Sequence, residues 1–136
     1  MKSKKAKLKA KAWSLFSKYI RLKNADKNGY VECVTCGKRD HWKKLQAGHF
    51  VDSRSNAVLF EEDLVPPQCV GCNMFKGGNK VAYTLVMLDK GYSAEDITEM
   101  VNRKHKAKKI TEADYEEMIE DLKDKLVTVD IINQDK

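Results

Sequence analysis

The sequence predicts a small α+β domain whose cysteine-containing core lies between a basic N-terminal helix and further helices at the C-terminal end. Its 136 residues suit one domain and are too few for a doubly wound nucleotide-binding fold or a TIM barrel. Apolar residues recur at helical spacing near both ends, whereas turn residues and short apolar runs alternate between them. We therefore divide the chain into a basic helical arm (1–23), a core (24–92) and a C-terminal helical extension (93–136).

The arm is predicted as an amphipathic helix over roughly residues 4–23. Trp13, Phe16 and Ile20 fall at i, i+3 and i+7, which is the spacing of one apolar helix face. Residues 1–23 hold nine basic residues and no acidic one. The face opposite the apolar stripe would present lysines either to a phosphate backbone or only to solvent.

Charge is segregated along the chain, although the formal net value is only +6. Residues 24–100 sum to −2, residues 101–110 to +5 and residues 111–136 to −6. A basic balance of this kind favours nucleic acid as the partner, and its segregation predicts that different segments face different partners.

Short strands and helices are predicted to alternate within the core. The turn-forming run NADKNG (24–29) ends the arm. Pro66 and Pro67 block a helix and lead the chain extended into the next cysteine, and Gly77 and Gly78 interrupt a helix. Strands are predicted over Tyr30–Val34, Leu45–Val51 and Ala57–Phe60, with the polar residues 52–56 joining the last two, and helices near 69–73 and from a cap at Asn79 to about Lys90.

Two more helices are predicted in the extension. Ser93 and Asp96 have the spacing of a capping box, and Thr111 and Asp114 repeat it. Beyond about Val127 the chain is expected to be strand-like or frayed. The apolar stripes consist of Ile97, Met100 and Val101 in the first helix and of Tyr115, Met118, Ile119, Leu122 and Leu126 in the second.

All four cysteines belong to two C-x-x-C pairs, Cys33/Cys36 and Cys69/Cys72. Two such turns supply the four thiolates of a tetrahedral zinc site, and a site closed by four protein ligands is structural. Disulfides are disfavoured because nothing marks the chain as secreted, and a redox motif would require a βαβ context. We therefore predict one structural Zn²⁺ that holds the core together.

Two polar residues stand out near the cysteines. His49 ends the apolar run that contains Leu45 and Ala47, and Asn73 directly follows Cys72. The zinc would tie the base of the helix at 69–73 to the hairpin, so we expect His49 and Asn73 to approach one cleft. A buried, hydrogen-bonded core histidine and an asparagine that only caps a helix remain the alternatives.

The sequence here resembles the HNH, or ββα-metal, nucleases, and within them the phage NinG/Rap recombination endonucleases. The resemblance covers about residues 30–83, and the lysine-rich leader is similar to theirs as well. The matching strings are Cys33-x-x-Cys36, Ala47-Gly48-His49-Phe50, Ser53-Arg54, Gln68-Cys69-x-x-Cys72-Asn73 and Gly78-Asn79.

The resemblance implies a metal-dependent DNA endonuclease that acts on branched intermediates such as Holliday junctions and D-loops. His49 would be the general base, Asn73 would bind Mg²⁺ or Mn²⁺ through an oxygen, and Arg54 would grip a phosphate. A general HNH nickase, a packaging-associated nuclease and a non-catalytic zinc module that binds nucleic acid are the alternatives.

The chain departs from the HNH pattern at two positions. Gly48 stands where many HNH enzymes have a metal-binding Asp before the histidine, which suggests a site with one protein ligand. Asp63 replaces the central Asn, so Asp63 and also Asp52 are candidate auxiliary ligands. Asp40-His41 is a rival Asp-His pair beside the first cysteine turn, and His105 lies in a basic run.

Partners and location are predicted from charge and hydropathy. The chain has no run of 18 apolar residues, and its N-terminus lacks the apolar stretch of a secretory signal, so we expect a cytoplasmic protein, in the host cell if phage-encoded. The acidic last helix packs on the domain or pairs with a second copy. Phosphate contacts or solvated lysines are expected at Lys4, Lys5, Lys7, Lys9, Lys11, Lys43, Lys44, Lys76, Lys80, Arg103, Lys104 and Lys106.

Overall fold

The computed structural model describes residues 2–51 and 55–134. It confirms a mixed helical and strand organisation, with long helices at the two ends and two small sheets between them. Short 3₁₀ turns cover Trp42–Lys44, Glu62–Leu64 and Arg103–His105, and a π-helical turn covers Gly71–Phe75. The main elements are α1 (Lys4–Lys23), β1 (Tyr30–Glu32), β2 (Arg39–His41), β3 (Leu45–Ala47), α2 (Asn56–Leu59), β4 (Pro67–Cys69), α3 (Lys80–Asp89), α4 (Ala94–Asn102) and α5 (Glu112–Gln134).

Helix α1 has the predicted bounds. Its N-cap is Ser3, whose hydroxyl accepts a hydrogen bond from the Ala6 N–H at 3.1 Å, and its C-cap is Asn24, whose side chain donates to the Ile20 carbonyl at 2.7 Å. The predicted stripe is buried at Phe16 and Ile20, which pack into the main core. The apolar face of α1 is therefore part of the domain's interior.

Helix α5 runs alongside α1 in the same direction. Lys4 lies near Glu112 at one end of the pair, and Lys125 lies over the Tyr19 ring at the other. The stripe of α5 is buried against the chain itself at Tyr115, Ile119 and Leu122. Packing on the domain, the first of the two expected uses of this stripe, is therefore observed.

The expectation of a strand-like or frayed end after Val127 is wrong, because α5 continues to Gln134. The β-branched residues near its end favour a strand locally. Leu126 and Val129 nevertheless continue the helical stripe and are half-buried. Tertiary packing of one face therefore outweighs the local preference.

The two sheets are each an antiparallel pair of three-residue strands. Strand β1 pairs with β2, with Tyr30 opposite His41, and β3 pairs with β4, with Leu45 opposite Cys69. The turn before β1 forms as predicted, since the Asp26 carboxylate accepts hydrogen bonds from the Asn28 and Tyr30 N–H groups. Strand β2 was not among the predicted elements.

The predicted strand at Ala57–Phe60 is wrong, because residues 56–59 form the short helix α2. The Ser55 hydroxyl caps it by accepting from the Ala57 N–H at 3.3 Å. Ala57, Val58 and Leu59 are all buried, so this apolar run has no alternation that could separate strand from helix. The partner of β3 is consequently β4, which the prolines had predicted only as extended chain.

Helices α3 and α4 close the core. Tyr83 and Met87 of α3 and Met100 of α4 are buried in the main core cluster. The capping box at the start of α4 forms as predicted, with reciprocal hydrogen bonds between Ser93 and Asp96 of 2.8 and 3.0 Å. The equivalent bonds between Thr111 and Asp114 precede α5. None of the helices in the described part of the chain is long and apolar enough to cross a membrane.

Candidate functional site

The four cysteines meet at one point, as their spacing predicted. Their Sγ atoms all lie within 4.8 Å of one another, and those of Cys36 and Cys69 are 3.7 Å apart. A tetrahedral site with Zn–S bonds of about 2.3 Å has sulfur–sulfur edges of about 3.8 Å. All four are free cysteines, so no disulfide competes for these sulfurs. The cluster therefore fits one structural zinc ion.

Local backbone geometry builds the two cysteine turns. In the first, Gly37 adopts a positive φ of 77°, and the Cys33 N–H donates to the Lys38 carbonyl at 2.8 Å. In the second, the Cys72 N–H donates to the Cys69 sulfur at 3.4 Å, at the start of the π-helical turn. Each turn places two sulfurs on the same side of a tight loop.

Neighbouring hydroxyl and amide groups orient the sulfurs. The Thr35 hydroxyl lies 3.3 Å from the Cys33 sulfur, and the Asn79 amide donates to the Cys72 sulfur at 3.5 Å. Asn79 is in the left-handed region, with φ of 50°, and its side chain makes no cap to α3. Asn79 therefore precedes α3 as predicted, but its side chain hydrogen-bonds to the cysteine cluster and does not cap the helix.

The thiol pKa values show how protons are shared in the metal-free cluster. Burial raises the pKa of Cys33, but hydrogen bonds from the Cys69 backbone and Thr35 outweigh it and lower that pKa to about 6. The Cys72 pKa is lowered as well, since contacts from Thr35 and Asn79 outweigh its burial. Cys33 and Cys72 therefore lose their thiol protons more readily than Cys36 and Cys69, whose pKa values are raised, and zinc binding would have to displace protons mainly from the latter two.

A buried glutamine joins the cysteine cluster to the histidine segment. Gln68 is fully buried on β4, and its Nε2 donates to the Thr35 hydroxyl at 3.1 Å and to the Gly78 carbonyl at 2.7 Å. Its Oε1 has no hydrogen-bond partner among the described residues. A Cβ atom on Gly48 would lie 2.2 Å from that oxygen. Close packing against Gln68 therefore requires glycine at position 48.

His49 follows β3 and lies against aromatic side chains. Its Nε2 is 3.2 Å from the Leu59 carbonyl oxygen. The Trp13 ring of α1 stacks on the imidazole, with centroids 5.0 Å apart and planes 20° apart. A carbonyl oxygen only accepts, so in neutral His49 the proton is on Nε2 and the basic lone pair is on Nδ1.

Helix α3 holds the backbone on both sides of His49. The Tyr83 hydroxyl donates to the Gly48 carbonyl at 2.7 Å, and Lys80 donates to the carbonyls of His49 and of Phe50, the latter at 2.9 Å. Burial raises the pKa of Tyr83, so its hydroxyl keeps the proton that it donates. Lys80, predicted as a phosphate contact, is placed here as a support for the histidine segment.

Asn73 lies within the π-helical turn and faces β3. Its Nδ2 donates to the Gln46 Oε1 at 2.6 Å, and the Gln46 Nε2 lies 3.6 Å from the Met74 sulfur. Because the Asn73 Nδ2 donates to Gln46, the orientation of the amide is defined, and Oδ1 is the atom of this side chain that could bind a cation. The Asn73 side chain thus contacts β3 at Gln46, three residues before His49 in the sequence.

Asp63, another predicted ligand, lies away from the cysteine cluster. Asp63 is an exposed residue of the 3₁₀ turn at 62–64, with its carboxylate 3.8 Å from the Arg103 guanidinium. Asp52 and Arg54 fall outside the described residues. His41 of the rival pair ends β2, and its Nδ1 accepts from the Lys43 N–H at 3.3 Å. His41 therefore caps the 3₁₀ turn that follows β2, which is a local structural contact.

The predicted phosphate contacts fall into two groups. Lys4 is 3.7 Å from Glu112 and 3.5 Å from Glu116, and Arg103 binds Glu99 at 3.0 Å. Lys106 and Lys44 lie 3.9 Å from Glu99 and Asp40 respectively, and Lys9 donates to Asn56. Lys5, Lys7, Lys11, Lys43 and Lys76 are exposed, Lys104 is half-buried, and none of them has an ion pair within the described parts of the chain.

Three contributors to the site were missed in the sequence. Trp13 was recognised only as part of an apolar stripe, Gln68 only as part of a family string, and Tyr83 not at all. A spacing of three or four residues predicts that Trp13 faces the core but cannot name the side chain that it meets. For Gln68 the available signal was a polar residue between two prolines and a cysteine, in a strand with buried neighbours.

Comparison with known proteins identifies relatives of this chain. The family model described as "Bacteriophage Lambda NinG protein" matches residues 1–131. "Protein ninG" of Salmonella phage P22 is 30% identical over 112 residues, which are 78% of this chain and 53% of that protein. "Protein ninG" of Escherichia phage lambda is 29% identical over 111 residues, 77% of this chain and 52% of that protein. The chain thus spans about half the length of these relatives, and no solved structure matches it.

Proposed function

The chain belongs to the bacteriophage NinG family, and from this premise we propose that it is a metal-dependent DNA endonuclease of the HNH, or ββα-metal, type. Its substrates on this proposal are branched recombination intermediates, such as Holliday junctions and D-loops, in the cytoplasm of the host cell. The observation that carries the proposal is the fixed orientation of His49, whose Nε2–H is held by the Leu59 carbonyl.

The order of elements supports the HNH assignment. Strand β3 leads to His49, β4 returns antiparallel to it, and the π-helical turn that follows contains Asn73. The cysteine cluster ties this turn to β4 and to the first cysteine turn. The resemblance to HNH nucleases leads us to expect this order of elements: a strand followed by a histidine, a second strand, and a helical segment that contains an asparagine.

His49 has the chemistry of a general base. Hydrolysis of a phosphodiester requires removal of a proton from the attacking water, and histidine is suited to this near neutral pH. The Leu59 carbonyl keeps the neutral proton on Nε2, so Nδ1 would accept the proton from water. Stacking on Trp13 and the hydrogen bonds from Tyr83 and Lys80 would hold the ring in one place during this step.

Asn73 would hold the catalytic metal through Oδ1. Mg²⁺ and Mn²⁺ prefer oxygen ligands, and Mg²⁺ keeps several waters, so one neutral protein ligand is compatible with a site of this kind. Such an ion, when bound, supplies Lewis-acid stabilisation to the leaving oxygen. Asp52 remains a candidate for a second metal ligand, and Arg54 remains a candidate for a phosphate contact. Asp63 could also bind the metal, but its carboxylate would first have to leave Arg103.

The test compares His49→Ala and Asn73→Ala with His105→Ala, a matched change at an exposed histidine. With a four-way junction and Mg²⁺ or Mn²⁺, His49→Ala should lose cleavage by about 10²–10⁴-fold, the usual contribution of a general base, and Asn73→Ala should lose cleavage because the metal would lack its protein ligand. His105→Ala should cut at the wild-type rate. Zinc content and circular dichroism establish that each variant folds. Cleavage by folded His49→Ala at the wild-type rate would contradict the proposal.

A zinc module that binds nucleic acid without cutting it is the second candidate. It is favoured by the contacts that hold His49 on several sides, which are also those of a structural core histidine. If wild-type protein binds DNA but cuts no plasmid or junction in either metal, this candidate replaces the nuclease. Equal cleavage rates on a junction and a linear duplex of matched sequence would instead indicate a general nickase or a packaging-associated nuclease.

Pairing of two copies is an additional proposal, because two subunits could cut a symmetric junction on both sides. The buried stripe of α5 is occupied by its own chain, so such a pair would need another surface. Sedimentation of the protein with and without a junction measures it. A monomer in both states would exclude the pair.

A further inference from the structure

We propose that Met74 and Phe75 form an apolar wedge that enters DNA where base stacking is interrupted, beside the strand held at Asn73. This inference rests on the proposed nuclease function and adds to it the feature that would select branched substrates. It assigns a role to two residues that neither the cysteine cluster nor the histidine site uses.

The exposure of this wedge is unusual for its residue types. The Phe75 side chain is 85% exposed, the highest value among the large apolar residues that the structure describes, and Met74 is 62% exposed. Single exposed apolar residues are common on protein surfaces, but here two adjacent ones lie on a π-helical turn. Turns of this kind contain an extra residue and are frequent at functional sites.

The position of the wedge brings it to any DNA that reaches the proposed metal ligand. Phe75 lies two residues after Asn73 on the same turn, a rise of about 3 Å along a helix. Consecutive nucleotides of one strand are about 3.4 Å apart. With the length of its own side chain added, Phe75 would reach bases within a few steps of the cleaved phosphate.

The charges around the wedge match nucleic acid better than an apolar protein surface. Lys76 follows it directly and is exposed. Met74 contacts Gln46 of β3, and this strand begins directly after Lys43 and Lys44, which are exposed. Within the described parts of the chain, no carboxylate lies within 4.0 Å of Lys43 or Lys76. An apolar side chain flanked by cations is the composition of wedges that separate base steps.

Three further cations, two of them on α1, lie together around Trp42. Lys43, Lys18 and Arg21 lie over the Trp42 ring at 5.8, 5.9 and 5.1 Å from its centroid, so these three cations are neighbours in space. We call Lys18, Arg21, Lys43 and Lys76 the basic strip. It would follow the phosphate backbone while the wedge contacts bases.

Interrupted stacking explains why the wedge would favour branched DNA. In a continuous duplex the ring would first have to separate two stacked base pairs, which has an energetic cost. At a junction that step is already open, and the ring gains a stacking partner without the cost. The wedge therefore raises affinity for branched DNA more than for duplex.

The experiment measures binding of a four-way junction with 2-aminopurine at the branch, and of a linear duplex of matched sequence, in buffer without added divalent metal. Phe75→Ala is compared with Leu85→Ala, an exposed apolar residue of α3 at 61% exposure, and with Phe75→Trp. Phe75→Ala should bind the junction about tenfold more weakly and lose the fluorescence change, with duplex affinity altered less than twofold. Leu85→Ala and Phe75→Trp should behave like the wild type.

Each other outcome has a defined meaning. Unchanged junction binding by Phe75→Ala overturns the wedge, whether or not the protein cuts DNA in Mg²⁺. A fluorescence change that depends on Phe75 in a protein that never cuts supports the wedge and contradicts the nuclease. A wild type that binds neither DNA overturns both. A change of sedimentation in Phe75→Ala without DNA would assign the patch to contact between protein copies instead.

Discussion

The paired helices α1 and α5 and the cysteine-containing centre are held together in different ways. The helices share a hydrophobic interface in which Ala12, Tyr115 and Ile119 are buried. The centre has strands of three residues each and a small apolar cluster around Val31, Leu45 and two of the cysteines. Strands so short bury too little surface to be stable alone. Packing therefore stabilises the ends, whereas the centre contains four cysteines that could hold a stabilising zinc ion.

The same two regions differ in how their charges are used. At the start of α1, the most basic segment of the chain, Lys4 is paired with acidic residues of α5. Near the centre, where the net charge is close to zero, three cations of the basic strip lie around Trp42, and the fourth, Lys76, directly follows the wedge. The net charge of a segment therefore does not predict which cations remain available to a partner.

The largest effect is expected from removing the metal. Cys72→Ser should abolish zinc binding and the cooperative unfolding transition, because structural zinc contributes about 10–16 kcal/mol in small zinc domains, comparable to the whole stability of a domain. Zinc content and thermal unfolding followed by circular dichroism measure it. Lys38→Ser, an exposed change on the first cysteine turn, is the control. A Cys72→Ser protein that unfolds cooperatively at the wild-type Tm would show that the centre does not depend on zinc.

The next largest effect is expected in the helical pair. Leu122→Ala should lower the free energy of unfolding by about 2–5 kcal/mol, because it leaves a cavity in the main core. Zinc content of the folded protein should stay at one per chain. Val127→Ala, at 60% exposure on the same helix, should change stability by less than about 0.5 kcal/mol. A Leu122→Ala protein that lost zinc but kept the wild-type Tm would contradict this division between the two regions.

A moderate effect is expected where Gly48 meets Gln68. Gly48→Ala should destabilise by about 1–3 kcal/mol, because the new Cβ would overlap the glutamine side chain. Gly48→Asp should lower the free energy of unfolding by at least as much, because the aspartate side chain is larger than that of alanine. A double-mutant cycle with Gln68→Ala, measured by denaturant unfolding, should show the Gly48→Ala cost reduced. If Gly48→Ala lowered the free energy of unfolding equally with and without Gln68→Ala, packing against Gln68 would not be the reason that position 48 requires glycine.

The smallest effect distinguishes the paired cations from the basic strip. In a double variant with Lys18→Ala and Lys43→Ala, the plot of log affinity for duplex DNA against log salt concentration should have a shallower slope. The slope should change by about 0.9 for each phosphate that the protein no longer neutralises. Lys4→Ala should leave that slope unchanged and alter stability by no more than about 1 kcal/mol, since exposed ion pairs contribute little. Filter binding across a salt series gives the slopes. A larger change from Lys4→Ala would move the DNA-facing surface to the start of α1.

Elements with a strong local signal were predictable from the chain. The bounds of α1, the capping boxes before α4 and α5, and the meeting of the four cysteines all depend on spacings of three or four residues. The failures were of another kind. The run at 57–60 is buried on every side, and the end of α5 is β-branched but packed, so short-range preference points away from the observed structure in both cases.

The sequence alone was enough to predict the bounds of α1, the start of α5, the fourfold sulfur cluster and the family, because each depends on residue types at short and regular spacing. Only the tertiary structure decided that Trp13 stacks on His49, that Gln68 excludes a side chain at Gly48 and that Asn73 bonds to Gln46. These pairs are 20 to 36 residues apart along the chain. Contacts at such separations depend on how the elements pack, and the local sequence around these six residues does not identify them as partners.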